Sequence, residues 1–257
     1  MVKQFKTIIV SGIHLGFKKG RTKNLMELLE QYKTKNLIFI GETFDDPFSS
    51  TMISAEKKQM KAFNKILKIV RKNDTDTTLV KSTPFEYLPS YLHDNESKYF
   101  KVQNELVYTS GPRKYYIKSE KSLSIFHQPY SFLLNLGQLG KKLANWIFVR
   151  KNNPNKNPQP EQEEKNREII LKQASKAACD GIIIASPHME KIETYKDTPY
   201  MNCGSWYSSQ CALVEDMDGD WSLLYYNDSN STQNMKIVDL WGMPNVSKTK
   251  SKLSFIA

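Results

Sequence analysis

The sequence predicts an α/β protein. Strand-like apolar runs alternate with helical patterns, and alternation of that kind builds a sheet flanked by helices. Four of the runs close on polar residues of metal-ligand type. Sheets of this class gather their sites at the carboxyl ends of strands, so the four clusters should converge.

The first strand, Lys6-Thr7-Ile8-Ile9-Val10, runs into Ser11-Gly12-Ile13-His14-Leu15-Gly16. Asn24 to Tyr32 then reads as a helix with Leu25, Leu28 and Leu29 on one face. The second strand, Asn36-Leu37-Ile38-Phe39-Ile40, leads to Gly41-Glu42-Thr43-Phe44-Asp45-Asp46. Glu56 to Arg71 repeats Met60, Phe63, Ile66, Leu67 and Val70 at helical spacing, and Thr77 to Val80 is again strand-like. Ser122-Leu123-Ser124-Ile125-Phe126 is expected as a strand ending at His127, and Gly181-Ile182-Ile183-Ile184 as one ending at Ala185-Ser186-Pro187-His188.

Two segments interrupt the alternation. Tyr130 to Arg150 is amphipathic, and Lys151 to Pro160 is rich in Asn and Pro and reads as a loop. A helix is expected to restart near Glu161 and end before Asp180. Further on, Gln210 to Glu215, a turn at Asp216 to Asp220, and Trp221 to Tyr226 form an expected hairpin.

The 257 residues suffice for one sizeable domain with an insertion, and a mean hydropathy of −0.55 suits a chain with a polar surface. No run approaches the roughly 18–20 apolar residues of a membrane span. Met1-Val2-Lys3-Gln4 lacks the apolar core of a signal peptide. Cys179, Cys203 and Cys211 form no CxxC pair, which indicates neither a zinc finger nor a disulfide framework. A cytoplasmic location is expected, with peripheral attachment at a membrane as an extension of it.

The net charge is +10. Its lysines are spread along helices, as in Lys57-Lys58, Lys61, Lys65, Lys68 and Arg71-Lys72. The first reading is a solvated helix face; attraction to anionic headgroups comes second. Nucleic acid is not expected, because no base-stacking or groove-reading motif accompanies the charge.

The strand-end clusters resemble the calcineurin-like metallophosphoesterases, and most closely the branch that includes the UDP-2,3-diacylglucosamine hydrolases. The strongest stretch is Cys179 to His188, followed by Tyr200-Met201-Asn202-Cys203-Gly204-Ser205-Trp206 and Ala212-Leu213-Val214. The family patterns there are D-G-V-V-C-G-H-x-H, then Y-x-N-C-G-D-W, then A-L-V. Leu136-Gly137-Gln138-Leu139-Gly140 with Trp146 matches that branch's helical insertion. The resemblance implies a four-layer α/β/β/α sandwich over residues 1–235, with a helical lid at about 130–165. A basic tail is expected over 236–257.

Such enzymes hold two divalent metals that clamp a phosphate and lower the pKa of the attacking water. The resemblance carries over the ligands His14, His127 and His188, with Glu42 standing for the bridging aspartate. Gly12 and Ser186 occupy positions where the family has Asp and His, so these ligands are lost. The G-N-H-D motif has two alternative placements. One is Tyr87-Leu88-Pro89-Ser90-Tyr91-Leu92-His93-Asp94, with His93 as a catalytic remnant; the other is Lys81-Ser82-Thr83-Pro84. Either way its asparagine is absent.

Losing even an outer partner of a ligand typically lowers metal affinity ~10 to 100-fold, and losing ligands should lower it more. The expectation is therefore no cofactor, with one divalent metal (zinc or manganese) on His14, Glu42, His127 and His188 as the alternative. The functional expectation is a catalytically impaired scaffold binding a lipid, a nucleotide sugar or a protein partner. The alternative is a hydrolase of phosphoester or pyrophosphate bonds with a reduced metal site. Leu139, Leu143, Trp146 and Phe148 of the lid, beside Lys141, Lys142, Arg150 and Lys151, would meet lipid or an anionic membrane.

Overall fold

The computed structural model describes residues 3–15, 21–44, 53–83, 86, 88, 100–122, 160–186, 190–226 and 235–238. Its elements in chain order are β1 (Lys3–Ser11), α1 (Thr22–Gln31), β2 (Tyr32–Ile40), α2 (Ile53–Lys72), β3 (Asp76–Val80), β4 (Phe100–Gln103), β5 (Leu106–Ser110) and β6 (Arg113–Ser119). Then follow α3 (Pro160–Lys176), β7 (Gly181–Ala185), β8 (Lys191–Tyr195), β9 (Thr198–Asn202), α4 (Trp206–Ser209), β10 (Cys211–Glu215), β11 (Trp221–Tyr226) and β12 (Met235–Val238).

The strands form two sheets: a seven-stranded one in the order β12-β11-β10-β1-β2-β3-β4 and a five-stranded one in the order β5-β6-β7-β9-β8. β1 through β4 are mutually parallel, as are β6, β7 and β9. β10 pairs antiparallel with both β1 and β11, which realises the expected hairpin. Met235–Val238 extends that sheet by pairing with β11.

Alternation along each strand sorts its side chains into separate cores, because successive residues point to opposite faces. On the first sheet Ile8, Val10, Leu37 and Phe39 pack with Leu25 and Leu28 of α1 and Phe63 and Ile66 of α2. Their alternates Ile9, Ile38, Ile40 and Val80 meet Ile117, Ile183 and Met201 of the second sheet. On the far face of that sheet Tyr116, Ile182, Ile184 and Tyr200 receive Ile170 and Ala174 of α3. Three slabs of core separate four layers, so the architecture is α/β/β/α. Each fully buried Ile, Leu or Phe here contributes about 1.5–3 kcal/mol.

The strand expected from Ser122 requires correction. Lys121 and Ser122 form a helical turn, Leu123 to Phe126 lie outside the described residues, and the strand beside β7 is Arg113–Ser119. Its pattern is masked in sequence because its helix-side face carries Tyr116 and Lys118, polar groups satisfied by Glu105 and Gln173. The expected lid and the tail beyond Val238 lie outside the described residues, apart from 160–165, which open α3.

Candidate functional site

β1 and β2 run in parallel register from Lys3 opposite Tyr32 to Ser11 opposite Ile40, so Gly12 and Gly41 follow side by side. Both have φ in the left-handed region (+55° and +56°), and the chain leaves each strand through a sharp turn. His14 (φ +50°) and Glu42 (φ +40°) also adopt left-handed backbone. That conformation costs an ordinary L-residue roughly 1–2 kcal/mol, and such strain collects at functional sites. The two turns are stitched together by His14 N–H donating to Glu42 O (3.0 Å) and Leu15 N–H donating to Thr43 O (2.9 Å).

The stitching puts the two ligand-type side chains in one place. His14 Nε2 lies 3.7 Å from Glu42 Oε2, and the imidazole ring meets Tyr207 edge-on with centroids 5.4 Å apart. Glu42 Oε1 is held by a very short ion pair with the Lys121 ammonium. Both side chains of that pair are more than a third exposed (37% and 36%), so its net stabilisation is about 0–1 kcal/mol. Its importance is geometric, because an ammonium already claims the carboxylate.

A second structural element closes over Gly12. Tyr207 N–H donates to Gly12 O at 3.0 Å, which lays α4 across the end of β1. A Cβ built on Gly12 would lie 2.4 Å from Ser205 Oγ. The space beside Gly12 is therefore occupied by the Ser205 hydroxyl. From the other sheet, Asn202 Oδ1 accepts from Ser186 N–H (3.1 Å) and Gly204 N–H (3.0 Å), tying the ends of β7 and β9. The Ser11 hydroxyl donates to Gly204 O and links the two sheets at this edge.

Beside Glu42, the Glu86 carboxylate accepts from the backbone N–H of Ser82 and that of Thr43 (3.3 Å). Burial pushes its carboxyl up to about 7, against the pull of those donors and with a further push from Glu42. A polar cleft of about 500 Å³ opens nearby, lined by Lys81, Thr83, Gln103, Asn104, Glu105, Lys118 and Ser122. Lys81 and Thr83 flank Ser82 in the chain, and Ser122 follows Lys121. Cys203 and Cys211 are fully buried, and burial raises the Cys203 thiol to about 12, which makes it chemically inert.

No family model matches the sequence. No curated protein matches it either. Among solved structures, a single-mutant Vps29 from Entamoeba histolytica is similar at a TM-score of 0.49 and 10% identity, over 90% of this chain and 96% of that one. A hypothetical protein from Pyrococcus horikoshii gives 0.47 at 11% identity, covering 86% and 87% of the two chains. An archaeal phosphodiesterase gives 0.46 at 10% identity, covering 85% and 98%.

Of the sequence-predicted residues, the structure brings His14 and Glu42 together and places Gly12 and Ser186 at the same edge. His93, His127, His188, Leu139, Leu143, Trp146 and Phe148 lie outside the described residues. Among the described residues no three His, Cys, Asp or Glu side chains gather as a metal-binding group. The ligand-type groups described at this edge are one imidazole and one carboxylate, the latter paired with lysine. Sequence reasoning missed Lys121, Glu86 and the role of Ser205. Only Ser205 left a signal, standing in the D-W position of the motif while Gly12 stood in the aspartate position of another.

Proposed function

We propose that the chain is a calcineurin-like phosphoesterase-fold protein that has given up metal-dependent hydrolysis and persists as a binding scaffold. The resemblance of its motifs to the UDP-2,3-diacylglucosamine hydrolases points to a lipid, a nucleotide sugar or a protein as the bound partner. The observation that carries the reading is the ion pair between Lys121 and Glu42. In the enzymes the equivalent carboxylate bridges two cations; here a tethered ammonium provides the positive charge, and Ser205 fills the room left by the first aspartate. A divalent ion bridging both carboxylate oxygens would have to displace that ammonium from Oε1.

The alternative is a hydrolase working with one metal. The approach of His14 to Glu42, at 3.7 Å, favours it, since both could turn to a common ion.

Elemental analysis of full-length protein purified without chelator separates the two, with thermal melting after adding Mn²⁺ or Zn²⁺. The scaffold reading expects no stoichiometric metal, no metal-induced shift and no turnover of a bis-nitrophenyl phosphodiester. Lys121→Met should then expose Glu42 and produce a Zn²⁺-dependent rise in melting temperature that disappears when His14→Ala is added. One tightly held metal per chain, lost on His188→Ala, would establish the hydrolase instead.

A further inference from the structure

We propose that the outer face of α2 is a docking surface for an anionic lipid bilayer, separate from the strand-end site. α2 buries Gln59, Phe63, Ile66, Leu67 and Val70 against the first sheet and exposes Lys57, Lys61, Lys65, Lys68, Arg71 and Lys72. At roughly 100° per residue, these six cations fall within an arc of about 120°, opposite the buried stripe. At about 1.5 Å per residue they form a row about 22 Å long, more than two Debye lengths at physiological salt.

Among the described residues none of the six makes an ion pair, whereas the lysines elsewhere that do, such as Lys6, Lys118, Lys165 and Lys191, are matched to carboxylates. α2 carries one acid, Glu56, against seven basic residues, and the next acids in the chain, Asp74 and Asp76, lie past its carboxyl end. On α1, which packs beside α2, Glu27 is engaged by Tyr226 and Lys23. Six like charges held on one rigid face repel one another and are relieved by an anionic counter-surface.

The chemistry of the row favours lipid headgroups over nucleic acid. Five of the six are lysines, compact point charges without the planar fork that reads phosphate and base edges. The face has no aromatic side chain on which a base could stack. Met60, which is 40% exposed, stands at the border between cations and buried stripe, where an apolar side chain can enter the headgroup layer.

The test is sedimentation of full-length protein with phosphatidylcholine vesicles containing about 30% phosphatidylserine, at about 0.05 M and about 0.5 M salt. Each cation near such a surface contributes roughly fivefold in partitioning. The quadruple variant Lys61→Gln, Lys65→Gln, Lys68→Gln, Lys72→Gln should therefore bind roughly 600-fold more weakly. A control removing the same charge elsewhere (Lys33→Gln, Lys35→Gln, Lys101→Gln, Lys114→Gln) should bind as the natural chain does. Melting curves confirm that both variants fold, since every substituted side chain is exposed. Absence of binding at low salt overturns the proposal, as does an equal loss in both variants. Undiminished binding by the α2 variant, or tighter binding to a DNA duplex than to vesicles, overturns it too.

Discussion

The hydroxyl of Ser205 sits where a side chain at position 12 would begin, 2.4 Å from a Cβ built there, and Gly12 itself has φ +55°. Restoring an aspartate at that position therefore meets both a collision and a left-handed backbone. Crowding of this kind typically costs about 1–3 kcal/mol. Gly12→Asp alone should lower the melting temperature, and Gly12→Asp with Ser205→Gly should recover a large part of the loss. If the single variant melts with the natural protein, the two positions are not complementary. The same pair shows where residue-level reading stops: the absence of a carboxylate at Gly12 was legible, but what occupied its space required the approach of α4.

At the scale of elements, Glu86 ties the end of β2 to the end of β3, accepting from Thr43 and Ser82. Its carboxyl is raised from 4.5 to about 7 by burial, so the folded chain holds a proton that the unfolded chain releases. The contribution to stability is thus fully present below about pH 4.5 and is lost as pH rises through about 7. Glu86→Gln removes that dependence. The melting temperature of the variant should improve relative to the natural protein between pH 5 and pH 8 as the unfolded-state advantage of ionisation disappears. A constant difference across that range would mean that the carboxyl titrates normally. Element identity was mostly readable: α1, α2, the β10–β11 hairpin and the first strands follow from apolar spacing. β6 was not, because Lys118 and Tyr116 occupy its helix-facing side and are satisfied only by partners on the β4–β5 turn and α3.

Among the described residues the two sheets are joined by apolar packing, by the Ser11–Gly204 bond at the strand-end edge and by a buried polar clamp. Glu215 of β10 is fully buried and accepts from Lys6 Nζ (3.0 Å), from the Ser110 hydroxyl and from Tyr108 OH (2.6 Å). Thr7 Oγ1 lies 2.5 Å from Tyr108 OH. Lys6, Thr7 and Glu215 belong to the seven-stranded sheet, Tyr108 and Ser110 to the five-stranded one. Burial and the neighbouring carboxylate raise the Tyr108 phenol well above its ordinary value, so it stays a donor at any physiological pH. Lys6→Met leaves Glu215 without its cation and should destabilise the chain by about 1–3 kcal/mol in urea titration. A change under ~0.5 kcal/mol, the range of ordinary surface substitutions, would rule the clamp out as a stabilising element.

The sequence by itself determined the alternation of strands and helices and the convergence of Gly12, His14 and Glu42. These follow from apolar periodicity and from parallel strands ending on one edge, which are properties of short segments. Tertiary structure alone decided what the site contains. Lys121 reaches Glu42 across 79 positions of chain, and Ser205, between β9 and α4, fills the space beside Gly12. The identity of such neighbours depends on packing between distant segments.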